Sequence, residues 1–135
     1  MGSLRVLFSD PHVTLTLDDD SGLVRYVRSG ERFPSLDVLR VVHEKIAAAA
    51  PIARRERLKL LLDVRQAPPR NDDAFEAEIT RALVGFMPRF VAHAVLVKSA
   101  AGRLQSQRLA RQRGDNMAVF DYEADALRHL GIAAG

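Results

Sequence analysis

Five residues that follow two predicted strands have side chains or backbone suited to accepting an anion. Two lie beyond the apolar run LKLLLDV and three beyond VAHAVLV. Ligands of open α/β sheets bind beyond the carboxyl ends of parallel strands, where helix N-termini present free N–H groups. The second turn carries no acid and only small side chains, so a phosphate or carboxylate could approach its backbone amides. The predicted anion site consists of Arg65, Arg70, Ser99, Gly102 and Arg103. The alternative is structural, with Ser99 as an N-cap, Gly102 in close packing and the arginines solvated.

Other polar residues do not form a pattern typical of catalysis or metal binding. Four acids crowd the first two turns of a predicted helix, where we interpret them as solvated carboxylates that suit the helix dipole: Asp72, Asp73, Glu76 and Glu78. The histidines fall in four different predicted elements, without metal-ligand spacing: His12, His43, His93 and His129. The chain has no cysteine, nucleophile elbow, P-loop or GxGxxG motif. We therefore predict a protein that is not an enzyme, with no catalytic residues, cofactor or metal.

A basic segment runs from Lys98 to Arg113 without a single acid. It has no aromatic residue to stack on bases, and too few apolar residues for a helix that lies on a membrane. We interpret it as a solvated helix face and do not expect nucleic-acid binding, which agrees with a net charge of only +3. An anionic surface or an acidic partner remains the alternative for this segment.

Alternating strand and helix patterns place these residues on an α/β scaffold. HVTLTLD and LVRYVRS have the two-residue period of strands and predict an antiparallel hairpin across residues 18–22. Ser35 is the predicted N-cap of a first helix, and LKLLLDV is a predicted central strand because both of its faces are apolar. Further helices and strands follow in alternation. The predicted order is β-β-α-β-α-β-α-β-α in one domain, residues 1–135, with a single-layer, mixed and mainly parallel sheet and packed helices.

Length and composition indicate an ordinary globular domain. The 135 residues include 47% apolar and 27% charged residues, and no stretch reaches the roughly 20 apolar residues needed to span a bilayer. The N-terminal residues lack the apolar core of a secretory signal. We expect no membrane span and a cytoplasmic location.

The motifs LLLDVRQAP, RNDDAFEAEI, AVLVKSAAGRLQSQRLAR and AVFDYEADALRHL, in this order, resemble the SpoIIAA-like branch of the STAS superfamily from about Val13 to Leu130. Antagonists in that superfamily carry Asp-Ser-Ser-Gly at a strand end, and a partner kinase phosphorylates the second serine. The matching aspartate here is Asp63, but Val64-Arg65-Gln66-Ala67 follows it, without hydroxyl or glycine. The resemblance thus implies a bacterial regulatory domain that binds a partner without a phosphorylation switch.

We therefore predict non-covalent recognition of a protein partner. A small anionic ligand and a second copy of the chain, paired at a sheet edge left by the first hairpin or the last strand, are further candidates. The alternative function is a small-molecule or lipid carrier of the Sec14-like type, which would require an apolar cavity of some hundreds of cubic ångströms.

Overall fold

The computed structural model describes residues 4–50, 57–68, 72–87, 90–98, 103–104, 106–108, 111 and 118–132. Six strands form one mixed sheet in the order of the chain: β1 (Leu4–Ser9), β2 (Val13–Asp18), β3 (Leu23–Arg28), β4 (Lys59–Asp63), β5 (Ala92–Leu96) and β6 (Ala118–Phe120). The helices are α1 (Leu36–Ala49), α2 (Asp73–Val84), α3 (helical residues 103–104, 106–108 and 111) and α4 (Glu123–His129). None of the helices, as far as they are described, is long and apolar enough to cross a membrane.

The antiparallel part of the sheet has three strands instead of the predicted hairpin. β1 pairs with β2 and β2 with β3, both antiparallel, while β3, β4, β5 and β6 are parallel neighbours. The two predicted strands of the hairpin are confirmed. β1 was missed because a register shift between Val6 and Phe8 breaks the two-residue alternation on which the prediction depended.

Helices cover both faces of the sheet. α1 and α2 pack on one face through a core that includes Leu15, Leu60 and Val95, and α4 packs on the other over Leu61 and Leu96. β4 is buried between β3 and β5, which confirms it as a central strand. Its carboxyl end, at Asp63, therefore lies in the middle of the sheet edge where the anion site was predicted.

The predicted N-cap of α1, Ser35, is confirmed, and α2 begins in the same way at Asp72. The Ser35 hydroxyl accepts a hydrogen bond of 3.2 Å from the Val38 N–H, and the Asp72 carboxylate accepts one of 2.9 Å from the Phe75 N–H. Both contacts satisfy an N–H group that has no partner within the helix. They fix the residues at which α1 and α2 begin, after the ends of β3 and β4 in the chain.

The hairpin turn depends on Gly22, whose φ is 72°. A Cβ atom at this position would be 3.7 Å from the Arg57 carbonyl oxygen and 3.8 Å from Leu58, both ordinary contacts. The cost of Gly22→Ala therefore comes from the left-handed backbone, and we expect a loss of about 1–2 kcal/mol in the free energy of unfolding, measured with urea. Gly85→Ala is the control, since Gly85 has φ −86° and nothing within 4 Å of the added Cβ. Equal stability of the two variants would contradict this account.

Candidate functional site

Asp63 is a buried carboxylate that is bound by the loop following it. Its side chain is 9% exposed. Oδ1 accepts hydrogen bonds from the backbone N–H and the Nε of Arg65, at 3.2 and 3.0 Å, and Oδ2 accepts one from Arg65 Nη2 at 2.7 Å. This bidentate pair has the geometry in which arginine binds carboxylates most strongly. The hydrogen bond with Asp63 also raises the pKa of Arg65.

The same arginine connects the loop to α4. Arg65 Nη2 lies 3.4 Å from Glu123 Oε1, and Arg25 on β3 donates to both oxygens of Glu123 at 3.3 Å. Four side chains thus form a row of alternating charge: Asp63, Arg65, Glu123 and Arg25. Glu123 lies in the first turn of α4, where the helix dipole also favours a carboxylate. The row attaches the start of α4 to two strands.

The loop 64–67 is a compact turn without a hydroxyl group. The Val64 N–H donates to the Leu96 carbonyl at 3.0 Å, and the Ala67 N–H donates to the Val64 carbonyl at 3.1 Å. The Val64 side chain packs against the core, whereas Gln66 is exposed. The backbone here is fixed by these bonds, so Gln66 and the outer part of Arg65 present a defined surface.

The structure brings Arg65 and Arg103 to the carboxyl side of the sheet but gives them different partners. Arg103 donates to the Val119 carbonyl at 3.1 Å and to Asp121 at 3.2 Å. Arg70, Ser99 and Gly102 lie outside the described residues. The anion site stays a prediction, and an anion that binds Arg65 or Arg103 has to compete with a carboxylate of the chain itself.

The interpretation of Glu76 as a solvated carboxylate is wrong. The side chain of Glu76 is 6% exposed, and its two oxygens accept from Nε and Nη2 of Arg108 at 3.1 and 2.5 Å. The pair joins α2 to α3, so Arg108 is also not part of a purely solvated basic face. The interpretation holds for Asp72 and Asp73, which are exposed, and is wrong for Glu78, whose side chain is 12% exposed and lies 3.4 Å from Arg81 Nη1. Sequence reasoning missed the pair because its members are 32 positions apart.

A second buried polar pair lies beneath α1 and was also missed. His43 is 6% exposed, and its Nδ1 is 2.8 Å from the Leu39 carbonyl oxygen. A carbonyl only accepts, so Nδ1 carries the proton and Nε2 accepts from the Tyr26 hydroxyl at 2.7 Å. Burial lowers the pKa of His43, and the nearby Arg28 guanidinium lowers it further, against the Leu39 carbonyl, which raises it. His43 is therefore a neutral packing residue.

A groove on the other face of the sheet adjoins the row of charges. It has a volume of about 350 Å³ and lies between α4 and the antiparallel strands. We call it the α4 groove; its walls include Leu4, Asp18, Leu23, Arg25, Glu123 and Leu127. Sequence reasoning did not predict it, since it depends on where α4 packs relative to the antiparallel strands. Among the described residues, no group of three or more histidines and acids is placed to hold a metal ion.

Comparison with known proteins adds no relative. The chain matches no family model, no curated protein and no solved structure.

Proposed function

We propose that the chain is a non-enzymatic regulatory module of the SpoIIAA-like STAS type, acting in the bacterial cytoplasm, that recognises a protein partner through the loop 64–67. The proposal depends on the contacts and residue types of that loop. Its aspartate is buried and bound at both oxygens by Arg65, and the turn contains no residue that can accept a phosphoryl group. Recognition at this loop is then constant instead of switched by modification.

The surface around the loop suits a polar contact with another protein. Gln66 is exposed there, and the Arg65 side chain is 38% exposed although it is paired. Charged groups at the rim of an interface contribute mainly to specificity and to the rate of association. Because the loop is held by backbone hydrogen bonds, little conformational entropy is lost when a partner binds.

The carrier alternative has less support. A carrier of apolar molecules needs a cavity lined mostly by apolar groups, whereas the α4 groove is open to solvent and half of its lining is polar. In the described part of the chain, the buried apolar residues form two clusters, one on either side of the sheet.

Site-specific photocrosslinking tests the proposal. A photoreactive residue at Gln66 should give an adduct with one discrete protein in cells, and the same residue at Lys45, which is exposed on α1, should not. The captured partner is then purified and its affinity for three chains is measured. We expect it to bind the parent chain and Lys45→Trp equally tightly, and to bind Gln66→Trp at least tenfold more weakly. Identical adducts from both positions, a phosphoryl group on the loop, or a lipid in organic extracts of the purified chain would contradict it.

A further inference from the structure

The residues that line the α4 groove include apolar side chains and carry one more negative than positive charge. Leu4, Leu23, Leu127 and Ile132 supply the apolar part of the lining. Its volume of about 350 Å³ lies at the lower end of the range of small-molecule sites, roughly 300–1,000 Å³. The size therefore fits a small organic molecule with an apolar body.

The polar lining selects the charge of that molecule. Two carboxylates, Asp18 and Glu123, line the groove together with one guanidinium, Arg25, so one negative charge is left over among the residues that line it. Arg25 already donates to both oxygens of Glu123. The contacts of Asp18 come from neutral donors, the Asp20 N–H at 3.0 Å and the Ser21 hydroxyl at 3.1 Å. Within the described residues, no cation forms an ion pair with Asp18.

We propose that the α4 groove binds a small primary amine whose ammonium group pairs with Asp18 and whose apolar chain packs against Leu23 and Leu127. An ammonium supplies the strong donors that a carboxylate can accept, and a carboxylate ligand would meet the excess negative charge. This site is separate from the proposed partner loop and does not depend on it. It is connected to the loop, however, because Glu123 Oε1 accepts from both Arg25 and Arg65.

This connection predicts a response at a distance. Glu123 lines the same groove as Asp18, so an ammonium bound at Asp18 also attracts the Glu123 carboxylate and weakens its contact with Arg65. Arg65 in turn holds the loop 64–67 through Asp63. Occupation of the groove should therefore change the environment of Gln66 without touching it.

The test is an NMR titration of the isotope-labelled chain with two probes of equal chain length: hexylammonium and hexanoate. We expect saturable shifts of the Leu23, Arg25 and Leu127 amides with hexylammonium, a smaller shift at Gln66, and at least tenfold weaker binding of hexanoate. Asp18→Asn should weaken hexylammonium binding about tenfold, since the amide keeps an acceptor for the turn and loses the charge. Asp37→Asn, an exposed site on α1, removes the same charge and should have no effect.

A second variant keeps the test decisive if Asp18→Asn loses its fold. Thr16→Lys places an ammonium from the chain itself at the groove lining, and should abolish hexylammonium binding in a protein that still melts cooperatively. Four results would overturn the proposal: no saturable binding of hexylammonium, equal or tighter binding of hexanoate, binding that Asp18→Asn and Asp37→Asn affect equally, or shifts spread over all surface acids.

Discussion

Replacing Arg108 with alanine should cause a large loss of stability for a single change at a half-exposed residue. The variant leaves the buried Glu76 carboxylate without its bidentate partner. Breaking a buried ion pair costs about 3–5 kcal/mol, and the 45% exposure of Arg108 lets water replace part of the lost interaction. We expect a loss of about 2–3 kcal/mol, equivalent to a fall in Tm of about 6–12 °C for a domain of this size.

The control for this prediction lies on the same helix. Arg111 is exposed, and Arg111→Ala should change the free energy of unfolding by less than about 0.5 kcal/mol. The double variant Glu76→Leu with Arg108→Leu should recover most of the stability that Arg108→Ala loses, because an apolar pair leaves no unpaired charge. Calorimetric melting of the four proteins measures these differences. Equal melting temperatures for Arg108→Ala and Arg111→Ala would show that the ion pair contributes nothing.

This pair illustrates what the sequence could not predict. Helix caps such as Ser35 and Asp72 are local, since the side chain and the N–H it binds are three positions apart, and the cap at Ser35 was predicted correctly. Glu76 has the same local signal as its exposed neighbour Asp73. Only the packing of α3 against α2 distinguishes the two, and no pattern in the sequence contains that packing.

The strands show the same division between local and long-range information. β4 was predicted because a continuous apolar run is typical of a strand covered on both faces. β1 has the apolar residues of a strand, but the irregularity after Val6 moves its side chains out of alternation. The Asp63–Arg65 pair is intermediate between the local features that were predicted and the long-range contacts that were missed. Its members are two positions apart, so their contact could have been predicted from the sequence. The prediction instead assigned Arg65 to an anion site.

Acidification below pH 6.5 should weaken the fold through His43. Its pKa is lowered in the folded chain because the ring is buried, and this effect outweighs the hydrogen bond to the Leu39 carbonyl, which raises the pKa. The unfolded chain, with an ordinary histidine pKa of about 6.5, then binds more protons than the folded chain. The stabilising contribution is complete above that pH and is lost as the pH falls toward the folded pKa. For one titrating group the slope is at most about 1.4 kcal/mol per pH unit.

The double variant Tyr26→Phe with His43→Leu isolates this effect. It removes both polar partners together, so neither is left buried without a hydrogen bond. Between pH 6.5 and 5, the free energy of unfolding of this variant should not show the fall with decreasing pH that His43 causes in the parent chain. The charged groups nearby, Arg28, Asp10 and Glu78, are retained in the variant and act as an internal control.

Asp10 affects stability in a different pH region. Burial raises its pKa, but the hydrogen bonds from Val13 and His12 outweigh this effect and lower the pKa, so the contribution of Asp10 is lost only at a pH below about 4. Urea unfolding at half-unit pH intervals separates the two regions. If parent and double variant lose stability in parallel between pH 6.5 and 5, the acid sensitivity has another source and His43 does not titrate with folding.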